Sequence, residues 1–126
     1  MGTGSMRGSP YEGLLAHVMR MQGIRGALVV AVHDGLVVDG RVHVGVRGSA
    51  VAALAASLYR RACRATGDGE AGSRFVELEA SAGRIMIAGK GDLVLMAVVE
   101  RRANAGQARL AVRRAAENLL GTGEAT

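Results

Sequence analysis

The sequence predicts an α+β domain, a single antiparallel five-stranded sheet flanked by three helices in the order α-β-β-α-β-β-β-α. Three observations carry this. An aliphatic run at residues 27–32 is followed, after His33, by Asp34-Gly35, a pair that tolerates the positive φ of a tight hairpin turn. Three strand-like runs, Arg74–Ala80, 84–88 and 93–99, are joined by connections of a few residues, which permit antiparallel hairpins and forbid crossovers. Three further segments show apolar residues at helical spacing, each with cap chemistry at an end.

In chain order, Ser9, Pro10 and Glu12 read as an N-cap, a first helical residue and a capping-box acid. Tyr11, Leu14, Leu15, Val18 and Met19 supply the apolar stripe, and Gly23 the stop. The aliphatic run 27–32 belongs inside the sheet, since β-branched residues without alternation suit a strand covered on both faces. Its hairpin partner, 36–44, is more polar, carrying Asp39, Arg41 and His43. Gly48 and Ser49 open an alanine-rich second helix with a narrow stripe of Val51, Leu54, Leu58 and Ala62, ended by Gly67. Its alanine faces would let another helix approach closely, which makes it the first candidate for self-association. A loop of glycines and acids at 68–72 leads to Arg74–Ala80. This strand alternates Phe75, Glu77 and Glu79 with Val76, Leu78 and Ala80, as expected at a sheet edge. Asn104 and Gln107 begin a third helix with a buried stripe of Ala108, Val112, Ala115, Ala116 and Leu119, closed by Gly121. Residues 1–8 read as an expression scar and disordered N-terminus, 9–121 as one domain, and 122–126 as a disordered tail.

The chain has 126 residues, 49% hydrophobic and 21% charged, with a net charge of +5, so it holds one core and is not intrinsically disordered. Its one cysteine, Cys63, excludes an intramolecular disulfide framework, and a cytoplasmic location follows as the default. Gly48 to Tyr59, an alanine-rich stretch without charge, is too short to span a bilayer, so no membrane association is expected. A pI near 10.6 raises an arginine-mediated nucleic-acid binder. Eleven interspersed acids and only three aromatics count against it, because single-strand binders need stacking platforms.

Tests for catalytic or ligand chemistry come out negative. Gly83 to Gly91 resembles a phosphate-binding loop around the sole lysine, Lys90, but the glycine spacing is wrong and Gly91 stands where Ser or Thr must reach magnesium. Two hairpin turns around a strand account for it. His17, His33 and His43 lack ligand spacing. Cys63, flanked by Arg60 and Arg64, is better read as a small packing residue than as a reactive thiol, and Glu77 and Glu79 as solubilising charges on an edge strand. No catalytic, cofactor-binding or metal-ligating residue is assigned, and the chain is read as no enzyme.

The element order, the Asp34-Gly35 hairpin, the helix Ala50-Val-Ala-Ala-Leu-Ala-Ala-Ser-Leu58, and the closing Ala103-Asn-Ala-Gly-Gln-Ala-Arg109 leading into Arg113-Arg114-Ala-Ala-Glu117 together resemble the roadblock family. That family is related to the dynein light chains of the same name, and the resemblance spans roughly residues 10–121. It implies a profilin/longin-like fold that dimerises into a continuous sheet, the edge strand Arg74–Ala80 pairing with its twin while the two middle helices pack across it. The interface so implied takes Val51, Leu54, Leu58, Phe75, Val76, Glu77 and Leu78. It also implies a small Ras-like GTPase as partner, which the chain regulates or scaffolds; a dimeric adaptor without effect on nucleotide turnover is the alternative. Arg60, Arg61 and Arg64, at the end of the middle helix, are the charges placed to meet an acidic partner face, by steering or as an arginine finger. The plainer reading, that they solvate a helix end and suit its dipole, is preferred.

Overall fold

The computed structural model describes residues 9–67 and 74–124, with side chains described for all of these except Lys90 and residues 120–124. The expectations for residues 1–8, for the 68–72 loop and for the last two residues lie outside that range. The elements are α1 (Glu12–Met19), β1 (Ile24–Ala31), β2 (Val37–Val42), α2 (Gly48–Thr66), β3 (Arg74–Ala80), β4 (Gly83–Lys90), β5 (Leu93–Glu100) and α3 (Ala105–Glu124). The order is the one the sequence predicts.

All five strands form one antiparallel sheet in the order β2-β1-β5-β4-β3. β1 and β5 are interior and almost wholly buried, which is why residues 27–32 and 93–99 read as unbroken apolar runs. β2 and β3 are the edges. The β1–β2 register shifts between Val29 and Val30, leaving Val38 outside the pairing and 41% exposed while Asp39 turns inward, its Oδ1 accepting the Gly40 N–H at 2.8 Å.

Two cores lie on the two faces of the sheet. α1 and α3 cover one with Leu15, Val18, Ala108, Val112 and Leu119 against Val29, Met86, Leu95 and Ala97. α2 covers the other with Ala52, Ala55, Ala56 and Tyr59 against Leu28, Val30, Ile87 and Met96. Gly83 to Lys90 is strand β4 between two hairpin turns, paired along its length with β5, as the rejection of a phosphate loop requires.

Three local expectations are corrected. Ser9 does not cap α1: its Oγ accepts the Tyr11 N–H at 3.1 Å, closing a turn ahead of a helix that starts at Glu12. The alanine surface of α2 is only partly open, because Ala52, Ala55 and Ala56 are buried where small side chains let the helix lie close over Leu28 and Val30, whereas Ala50, Ala53 and Ala65 are exposed; Val51 and Leu58 pack at the margin of the same core, and Leu54 is left exposed. α3 continues through Gly121 to Glu124, since an interior glycine costs a helix only about 1 kcal/mol against alanine and the buried Leu119 face holds it.

Candidate interaction surface

Among the described residues, β3 is bonded only to β4, so its outer side is a free edge of the sheet. Its alternation is realised: Phe75 packs into the α1–α3 core and Val76 into the α2 core, both half-buried. Leu78, farther along, is 36% exposed. It lines an open groove of about 300 Å³ with Val46, Ile85 and Val98, whose walls also carry Arg25, Arg84 and Glu100. On α2, Val51 and Leu58 are half-buried at the margin of the core, and Leu54 is 44% exposed. The predicted interface residues thus fall on one side of the molecule only in part: the α2 stripe, Val76 and Leu78 share a face, whereas Phe75 and Glu77 lie on the other.

Glu77 is where sequence reasoning underestimated the edge. Arg109 of α3 donates to both its oxygens, Nε to Oε1 at 2.6 Å and a terminal nitrogen to Oε2 at 3.2 Å. Arg84 of β4 stands 3.2 Å from Oε2 and also reaches Glu79 at 3.5 Å. These guanidiniums, Arg109 foremost through its hydrogen bonds, hold the Glu77 carboxyl below its ordinary pKa. Arg113 lies 4.4 Å above the Phe75 ring. Acids alternating on a strand and arginines one helical turn apart at 109 and 113 were the available signal; their meeting across 32 residues was not.

The second feature is a cavity of about 330 Å³ where the C-terminal end of α2 meets the β1–β2 and β4–β5 turns. Tyr59, Arg60, Cys63 and Arg64 line it from α2, His33 and Asp92 from the turns, and Arg74 from the start of β3. Gly67 ends α2 in the left-handed region, φ 73°, its N–H returning to the Cys63 and Arg64 carbonyls. The Tyr59 hydroxyl donates to the Gly89 carbonyl at 2.9 Å. Burial, the nearby Cys63 thiol and, in opposition, Arg74 leave its pKa pushed up to about 12. His33 pairs with Asp92 across the mouth at 3.4 Å.

The three predicted partner-binding arginines separate here. Arg60 turns inward and donates to the Val32 and His33 carbonyls, fastening the β1–β2 turn to α2. Arg64 is exposed on the cavity wall, and Arg61 is exposed outside it. Arg41, Arg84, Arg101, Arg109 and Arg113 also engage groups of this same chain, so much of the basic composition is spent internally. Among the described residues, no helix is long and apolar enough to cross a membrane.

The sequence model of the Roadblock/LC7 domain matches residues 11–100. An uncharacterised protein of Methanocaldococcus jannaschii is 26% identical over 112 residues, covering 88% of this chain and 94% of that protein. The fold is shared with the gliding protein MglB of Thermus thermophilus, at a TM-score of 0.77 and 20% identity over 100% of this chain and 99% of that one. A structure described as MglB with tetrameric arrangement superposes at 0.78 with 23% identity, covering 98% of this chain and 97% of that one.

Proposed function

Because this chain belongs to the Roadblock/LC7 family, we propose that it is a non-catalytic, homodimeric, cytoplasmic module that binds a small Ras-like GTPase and regulates or scaffolds it. The observation that carries the self-association half is the free edge of β3 lying beside apolar surface, Leu78 and its groove, with the exposed Leu54 on α2. Pairing with a second copy would satisfy the open backbone groups of the edge and cover that surface in one step. The tetrameric arrangement reported for an MglB supports assembly through this fold.

The partner half rests on the family and on charge. Arg61 and Arg64 project from the end of α2 and suit an acidic partner surface, by field rather than chemistry. Arg60 is tied to two backbone carbonyls, which argues against it as a finger for a transferring phosphate and favours the second reading, an adaptor without effect on turnover.

The test has two parts. Sedimentation velocity of Leu54→Arg against wild type is expected to show a dimer weakened more than about tenfold, since an unpaired charge would enter an apolar contact, with the thermal midpoint of the subunit little changed. Equal dimer affinity refutes the α2 stripe as an interface. GTP hydrolysis by the Ras-like GTPase encoded nearest to this chain is then measured with and without it. A changed rate supports regulation, binding with an unchanged rate supports the adaptor, and no binding refutes the partner.

A further inference from the structure

The edge strand carries two acids on its α3-facing side, and the chain meets them with two guanidiniums. Arg109 takes both oxygens of Glu77, while Arg84 is shared between Glu77 and Glu79. The side chain of Glu77 is only 19% exposed within this cluster, which is electrically neutral as a whole. That neutrality bears on what can lie against the edge. In a dimer related by a two-fold axis, β3 pairs antiparallel with its own copy, and a pairing centred on the middle of Arg74–Ala80 sets Glu77 opposite its counterpart. Directly opposed like charges destabilise an antiparallel pair. Bare acids would make the edge repel a second copy and favour a basic strand instead; an edge whose acids are already neutralised accepts its twin.

We propose that Arg109 is the residue that permits self-pairing of β3, by neutralising Glu77 at the seam between two copies. The inference rests on the self-association reading and adds which side chain controls it. It assigns Arg109 a role distinct from tethering α3 to β3, because the tether acts within one subunit whereas the neutralisation matters only when two edges meet. The two roles predict opposite outcomes for one double variant. Arg109→Ala leaves one guanidinium for two acids and weakens both tether and pairing. Adding Glu77→Gln removes the surplus charge without restoring the tether.

Sedimentation equilibrium on the full chain decides it, using wild type, R109A, E77Q, R109A/E77Q and R109K, with circular dichroism confirming the fold of each. The expected results are a dissociation constant about threefold to tenfold higher for R109A and for E77Q, each of which leaves one surplus charge per copy at the seam, and values within about twofold of wild type for R109K and the double variant. R109A as tight as wild type overturns the inference, as does a double variant as weak as R109A, which would reduce Arg109 to a tether. R109K as weak as R109A overturns it too, since geometry and not charge would then matter. A wild-type chain that stays monomeric at every concentration instead overturns the self-association reading, and this inference with it.

Discussion

Tyr59 offers the sharpest test of the α2–sheet contact, through Tyr59→Phe. The residue is 3% exposed, and its hydroxyl donates to the Gly89 carbonyl of β4 at 2.9 Å. Near neutral pH the variant keeps the ring packing and loses one hydrogen bond to a buried acceptor, a loss of about 1 kcal/mol. At alkaline pH the balance reverses. The folded phenol titrates at about 12 against 10.0 for the free group, so between those values the folded chain holds a proton that the unfolded chain has released. Stability from this group is complete below pH 10 and is lost as pH rises toward 12. Two pH units correspond to about 2.7 kcal/mol for a phenol wholly shielded from water, and the open cavity beside the ring lowers the expected loss to about 1–2 kcal/mol. The phenylalanine variant cannot ionise and is spared it. Urea unfolding followed by circular dichroism at steps from pH 7 to 12 is therefore expected to give stability curves that converge or cross. The accompanying tyrosinate absorbance should lose its late component in the variant. Parallel curves, offset by the same amount at every pH, would refute the coupling of Tyr59 burial to its ionisation.

Three further outcomes are expected. Gly67→Ala places a side chain at φ 73° in otherwise open space, so the cost is conformational, about 1–2 kcal/mol by denaturant unfolding, and Gly67→Asn should recover most of it. Leu95→Ala removes a fully buried side chain from the α1–α3 core of an interior strand and should cost about 2–5 kcal/mol. Arg60→Ala should cost about 1–2 kcal/mol and speed amide exchange at Ala31 and Gly35, whose N–H groups bond to the Leu36 and Ala31 carbonyls in the hairpin that Arg60 fastens.

Much of the fold was legible because its signals are local. The bounds of α2 and β3 follow from Gly48, Gly67 and the alternation at 74–80, and the Asn104 cap is realised as an Oδ1 that accepts the Gln107 N–H at 3.0 Å. The free edge was legible for the same reason, since alternating polarity marks a half-covered strand. What was not legible depends on contacts between distant residues. Periodicity marks the Val51–Leu54–Leu58 stripe on α2 but does not say that Ala52, Ala55 and Ala56 lie over the sheet while Leu54 is left exposed. Arg60 reads as a free charge until the fold brings the Val32 carbonyl to it, and Glu77 as a solubilising acid until Arg109 arrives from α3. Composition counts charges, and only tertiary structure says which are already answered.

The pairing of β1 with β5 also governs how the chain is made. Ile24–Ala31 is synthesised before β5, and one of its two neighbours in the sheet, Leu93–Glu100, leaves the ribosome some seventy residues after it. Until then the nascent β1–β2 hairpin carries an unsatisfied, strongly apolar border, and the interior of the sheet cannot close. Non-local pairing of this kind slows folding and exposes the unfinished chain to aggregation. A nascent chain halted before residue 93 therefore has no completed sheet to fall back on, and chaperone demand should peak in that interval of translation.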